Sequence, residues 1–423
     1  MMVVKRISLL ILIGFAGLLA KAQSPFVNRR GGHFFLNGAP YYYIGANYWY
    51  GGLLANSVEG RRRVKRELDF LAARHVSNLR VMAGAEGSGA INGVTRVGPA
   101  LQPEQGRFNP DLLEGLDFLL SEMGKRGMKA VVFLSNNWEW SGGFLQYLNW
   151  NGLLPDSILP RKLTWDEQRD YVSAFYSCGP CRQQYNGQVA LVINRVNTIT
   201  KKRYRDDPAI MAWEIANEPR PMRPAAIAAF EKWISATAAY IKQLDPHHLV
   251  TTGSEGEMGS ETMDVFQAIH TDVNIDYCTI HIWPKNWGWF KDTAIAKDLG
   301  HVIDQTNNYI KRHAAVARQL GKPLVIEEFG LPRDGHSYLP TSATSLRNRY
   351  YAGIFNQWKI SKRMNDIIGG CNFWAFSGSG RPARGRTGWQ AGDDLLGDPP
   401  QEEQGLNAVF DSDTATWQLI ESF

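Results

Sequence analysis

The 423-residue chain is 44% hydrophobic, enough to bury a large core, and carries a formal charge of +5. Three of its cations, Lys5, Arg6 and Lys21, sit at the extreme amino terminus. Without them about +2 remains, too little to argue for a nucleic-acid partner. Four cysteines are too few for a disulfide scaffold, and the nine histidines form no metal-ligand spacing, so no metal and no cofactor is expected.

Lys5 and Arg6 precede an apolar run from Ile7 to Leu19, and Ala20-Lys21-Ala22 follows as a small-x-small cleavage site. Residues 1–22 therefore read as a secretory signal peptide. The run is shorter than the about 20 residues of a membrane span. Secretion into an extracellular or periplasmic space, with no membrane span, is expected. Residues 23–423 are expected to fold as one domain, and nothing in them asks for more than a monomer. Between Phe26 and Pro40, the paired Phe34-Phe35 and the turn Asn37-Gly38 predict a small hairpin.

From Pro40 onward, apolar runs alternate with amphipathic stretches. The runs are Tyr42 to Ala46, Asn78 to Met82, Lys129 to Ser135, Ile210 to Ala216, Leu249 to Gly253, Asp276 to Ile282, Pro323 to Glu328 and Cys371 to Phe376. Helical patterns fall at Glu59–Arg74, Pro110–Arg126, Trp165–Phe175, Ala225–Leu244, Ala296–Gln319 and Ser345–Lys359. Pro224 opens the fourth of these, and Asp245-Pro246 closes it. Eight strands, each followed by a helix or a long loop, predict an α/β fold of the (β/α)8 TIM-barrel type, with the hairpin closing its bottom. An open doubly wound sheet would want a glycine-rich loop after the first strand, and none is there. Long insertions after strand 3 (Asn136 to Thr164) and strand 8 (Ser377 to Gln404) would lie on the catalytic face. Cys178-Gly-Pro-Cys181 lacks the strand-then-helix context of a redox motif and reads as a local disulfide, while Cys278 and Cys371 lie in strand-like runs as buried thiols.

Two strands stop on carboxylates. AWEIANEP ends with Glu218 and LVIEEFG carries Glu328, so each places an acid at the carboxyl end of a barrel strand, where barrel chemistry sits. Two such acids suffice to cleave a glycosidic bond. Fourteen tryptophans, many just beyond predicted strands, suit a sugar polymer whose ring faces stack on indoles. Glu327 competes with Glu328, because both faces of a barrel strand are apolar. Glu214 lies earlier in its strand and reads as a buried structural carboxylate.

The motifs NGAPYYYIGANYWYG, NLRVMAGAEG, AWEIANEPR, TIHIWPKNW, VIEEFG and NFWAFSG run in this order through most of the chain. Together they resemble glycoside hydrolase family 5, in its branch of endo-β-1,4-mannanases. The resemblance implies retaining double displacement on mannan, glucomannan and galactomannan, with Glu328 as nucleophile and Glu218 as acid/base. It favours Glu328 over Glu327, because the nucleophile precedes Phe-Gly. Arg80 would hold Glu328 ionised, Asn217 would bind the sugar 2-hydroxyl, His281 would orient Glu218 or touch substrate, and Trp374 would form a stacking floor. Arg220 would bind mannose on the leaving-group side, and Trp49, Asn136, Asn137, Trp138 and Trp287 would add subsite contacts. Glu218 is expected to keep its proton through burial and the nearby charge of Glu328. Where many members carry a tyrosine that donates to the nucleophile, this chain has Trp283, so the donor to Glu328 stays open. An exo-acting β-mannosidase and a β-glucanase of the same family are the rival activities. A non-catalytic mannan-binding barrel would lack one of the two carboxylates.

Overall fold

A computed structural model describes residues 24–291 and 294–423. Its central sheet is the parallel barrel: β1 (Tyr43–Asn47), β2 (Val76–Met82), β3 (Lys129–Phe133), β4 (Ile210–Glu214), β5 (Leu249–Thr251), β6 (Cys278–Ile282), β7 (Leu324–Phe329) and β8 (Ile368–Phe373). The hydrogen-bonded order is β5-β4-β3-β2-β1-β8-β7-β6, with every pair parallel. The seam between β5 and β6 is closed by other bonds. Asp276 N donates to Val250 O at 2.8 Å, Thr251 Oγ1 to Tyr277 O at 3.0 Å, and His281 N to Glu255 O at 3.1 Å.

The helices around it include α1 (Val58–Ala72), α2 (Leu113–Lys125), α3 (Gly143–Trp150), α4 (Trp165–Ala174), α5 (Gly179–Ile193), α6 (Ile227–Leu244), α7 (Met263–Thr271), α8 (Ile295–Leu320) and α9 (Ser345–Met364). Ser57 caps α1 through Gly60 N, and Gly321 ends α8 in the left-handed region. The barrel bottom is plugged by three short antiparallel strands (Asn28–Arg30, His33–Leu36 and Ala39–Pro40), one more than a hairpin. Phe34 packs there with Tyr43, Met211, Leu249, Tyr277 and Val325.

Three differences from the sequence reading matter. Strands β3, β4 and β5 stop two residues before the apolar runs do, so Ser135, Ala216 and Gly253 lie in the loops above the barrel. The insertion after β3 is not plain loop, because α3 sits inside it. Cys178 and Cys181 are bridged, yet the pair also opens a 15-residue helix, with Cys178 Sγ accepting from Cys181 N at 3.2 Å. The expected missing helix is thus present, and what is lacking is the preceding strand. Cys278 and Cys371 are free and buried. No helix among the described residues is long and apolar enough to cross a membrane. The segment read as a signal peptide lies outside the described residues.

Candidate active site

Arg80 organises the barrel's upper interior. Its side chain points inward from β2 and is fully buried, which for a cation demands partners. Glu214, at the end of β4, takes the guanidinium in a two-point pair at 2.5 and 2.7 Å. The remaining N–H groups donate to Asn217 Oδ1 at 2.7 Å, to Asn47 Oδ1 at 3.1 Å and to Glu328 Oε1. Glu214 thus fixes the fork so that its other edge aims at Glu328 and Asn217. Burial still pushes the Glu214 carboxyl up, to about 8, against the pull of Arg80.

Glu327 and Glu328 both point into the barrel because of a bulge between β6 and β7. Ile280 pairs with Ile326 and His281 pairs with Glu328, which leaves Glu327 as the extra residue. Glu327 lies below, 3.5 Å from His281 Nε2 and 3.8 Å from Arg80 Nε, with neither oxygen hydrogen-bonded. Glu328 faces the cavity and receives a second donor, Trp283 Nε1, at 3.1 Å. The donor to Glu328 that the sequence left open is therefore Trp283, beside Arg80. Gly330 makes room for it: a Cβ there would lie 2.7 Å from the Trp283 ring.

Glu218 stands four residues beyond the end of β4 with φ +53°, the left-handed region that a non-glycine residue enters only at a cost. Its N–H donates to Gly253 O at 3.0 Å. Gly253 itself has φ +76°, and a Cβ on it would strike Ala216 O at 2.0 Å. His281 Nδ1 lies 2.7 Å from Glu218 Oε1 and 3.3 Å from Glu328 Oε2. Trp138 Nε1 donates to Glu218 Oε2 at 2.5 Å.

These contacts reverse one expectation. Burial does push Glu218 up, but His281, Arg220 and the Trp138 N–H together hold its carboxyl below the ordinary value. His281 is held well above its ordinary 6.5: burial opposes its charge, and the Glu328 charge with the close carboxylates of Glu218 and Glu327 outweighs burial. Both shifts favour a charged imidazole beside an ionised Glu218 carboxyl, the opposite direction to the one expected. Glu218, His281 and Glu328 bring one ligand atom each within 4.8 Å, a spacing a metal could use. The same atoms are already paired through the imidazole, so a cation would have to displace its proton.

Above the pair opens a cavity of about 530 Å³, lined among others by Trp138, Asn217, Glu218, Arg220, Trp283, Trp287, Glu328 and Trp374. Asn217 Nδ2 donates to Asn136 Oδ1 at 3.0 Å, and the residue keeps a sliver of surface in the cavity wall. Trp374 lies edge-on to Trp283 with its N–H unpaired, and Trp287 packs on Trp289 and Tyr309. Arg220 lies 5.0 Å over the Trp138 ring and is gripped by Glu255 at 2.7 Å.

The family follows from a match over residues 24–423 to the model for GH family 5 beta-mannosidase-like proteins. The chain belongs to glycoside hydrolase family 5. It is 30% identical over 371 residues to mannan endo-1,4-beta-mannosidase 7 of Arabidopsis thaliana, spanning 85% of this chain and 79% of that protein. A family 5 mannosidase from Rhizomucor miehei superposes with a TM-score of 0.82 at 34% identity, covering 94% and 96% of the two chains. The endo-1,4-beta-mannanase of the same fungus shares the fold, with a TM-score of 0.65 at 23% identity over 94% and 98%. The protein is thus a family 5 glycoside hydrolase of the mannanase and mannosidase group.

Three family 5 subsite expectations are not met by the structure. Trp49 is 1% exposed and packs on Trp140, with its N–H given to Gly397 O at 2.7 Å. It props the strand 8 loop from behind. Asn136 and Asn137 are fully buried and do not line the cavity. Sequence reasoning missed Glu255, Asn286, Pro399, Gln401 and Glu402, which do line it. These residues lie outside the barrel strands, where no periodicity marks them.

Proposed function

We propose that this protein is a secreted, retaining β-mannosidase that releases mannose from the chain ends of β-1,4-linked manno-oligosaccharides. The observation that carries retention is the approach of Glu218 and Glu328, with oxygens within 4.8 Å of each other. Retaining pairs stand about 5–5.5 Å apart, whereas inverting pairs need about 6.5–9.5 Å to admit water. Glu328, held by Arg80 and Trp283, attacks the anomeric carbon. Glu218 protonates the departing oxygen with a proton passed across the 2.7 Å contact from His281, then activates water to free the sugar. Asn217 would hold the 2-hydroxyl, and Trp374 would carry the ring of the cleaved mannose.

Chain-end action is supported by the strand 8 loop. It is tied to β1 by Trp49 and Gly397 and to the strand 6 loop by Lys285 and Glu403 at 3.0 Å. Pro399, Gln401 and Glu402 thereby stand in the cavity wall. Glu402 keeps a buried, unpaired oxygen there, and burial, with Asp398, Glu328 and Glu218 adding, pushes its carboxyl well up. A neutral carboxyl can both give and accept bonds to sugar hydroxyls. Internal cleavage is the second reading, favoured by the name of the Arabidopsis relative. Borohydride-reduced mannopentaose separates the two: free mannose with reduced mannotetraose is expected first, and reduced di- and trisaccharides from the outset would show internal cleavage. Secretion is supported by the amino-terminal sequence pattern and by the Cys178–Cys181 disulfide, a bond of oxidising compartments.

Two smaller effects follow. Trp283→Phe removes one donor to an ionised acid, worth about 1.5–3 kcal/mol, so kcat/KM should fall about 10–100-fold. An unchanged kcat/KM would leave Arg80 as the sufficient donor. The shared proton sets the alkaline limit. Because His281 is raised above 6.5, the pair is protonated below that pH and loses its proton only as pH climbs through the raised value. The alkaline limb of kcat/KM, which reports the free enzyme, should lie above pH 6.5. A limb centred at or below 6.5 would place the proton elsewhere.

A further inference from the structure

From Glu218 the cavity continues past Trp138, which touches the acid, onto a second indole. Trp165 is the first residue of α4, follows its N-cap Thr164, and is 49% exposed at the cavity rim. An indole left half in water on a mobile turn would mean little. This one is fixed. Thr164 and Glu167 form a reciprocal capping box, with Glu167 Oε2 accepting from Thr164 N at 2.8 Å, and Arg161 grips Glu167 at 2.9 and 3.0 Å. The ring lies nearly parallel to Trp138, at 26° and 6.3 Å between centroids. Trp138 in turn donates to Glu218.

Polar groups surround this pair of rings. Glu139 is buried and takes bonds from Asn92 at 2.8 Å, Gln168 at 3.0 Å and Lys162 at 3.1 Å. Lys162 and Gln168 line the cavity, and the Lys162 side chain is 65% exposed. Aromatic faces beside fixed, exposed donors are what a pyranose needs, because its axial hydrogens stack while its hydroxyls bond. Direction follows from chemistry: whatever lies past the acid/base belongs to the leaving group.

We infer that Trp165, with Lys162, forms a distal leaving-group subsite for a pyranose ring, one sugar beyond the ring that sits beside Glu218 and Trp138. The inference rests on the assignment of Glu218 as the acid. It predicts a dependence on chain length: mannotriose reaches Trp165, whereas mannobiose ends at Trp138. The test is kcat/KM on both substrates for the wild type and Trp165→Ala, read as mannose released. The ratio of mannotriose to mannobiose should fall about tenfold in Trp165→Ala, mostly through KM, as expected for a lost stacking face. Trp165→Tyr, which keeps an aromatic face, should restore most of the ratio. A ratio unmoved by Trp165→Ala, or equal losses on both substrates, overturns the subsite. Wild-type release of mannose from the two substrates reports separately on the chain-end reading.

Discussion

Glu328→Ala should lower kcat/KM on mannotriose at least about 10³-fold, a barrier cost of roughly 4 kcal/mol, with the fold retained. The size follows from what the residue would do: without a carboxylate at the anomeric carbon, no covalent intermediate can form, and water must do the work unaided. Retention of fold is expected because the side chain sits at the cavity floor. Removing it does leave part of Arg80 unpaired, but Glu214, Asn47 and Asn217 still hold the guanidinium. The melting temperature should therefore change far less than activity does. Near-normal turnover in this variant would move the nucleophile elsewhere, with Glu327 the first alternative.

Glu218→Ala should produce a different pattern. Hydrolysis of manno-oligosaccharides, whose leaving groups need a proton, should fall about 10²–10⁴-fold, the range of general acid catalysis. With a dinitrophenyl mannoside the first step needs no acid, so the intermediate should form and its breakdown should become limiting. Azide then replaces the missing base-activated water. Its expected product is β-mannosyl azide, since two inversions give retention; α-mannosyl azide would mean a single displacement. The His281 imidazole loses its closest carboxylate in this variant but keeps Glu328 at 3.3 Å.

The barrel was legible because strand and helix periods alternate along the chain, and the two acids because charges rarely end apolar runs without cause. Arg80 stood out for the same reason, a cation within an apolar strand. What the sequence concealed was direction. Trp49 and Trp138 both follow a strand, yet one turns into the wall and the other to Glu218, a difference set by packing against Trp140 and Gly397. Likewise, alternation could not place Glu327 relative to Glu328, because a bulge sends both inward. The direction of the Glu218 shift was not legible because burial and the charge of Glu328 were weighed, whereas His281, Arg220 and Trp138, which only folding brings to the carboxyl, pull the other way. Glu255 and Glu402 sit in loops with no repeating pattern, and only folding brings them to the cavity.

The most direct measurement is a proton NMR time course of the anomer first released from mannotriose, recorded faster than mutarotation, with Glu328→Ala as the blank. β-Mannose should appear first and then equilibrate, and the blank should stay flat. Initial release of α-mannose would contradict the close carboxylate pair as the engine of the reaction.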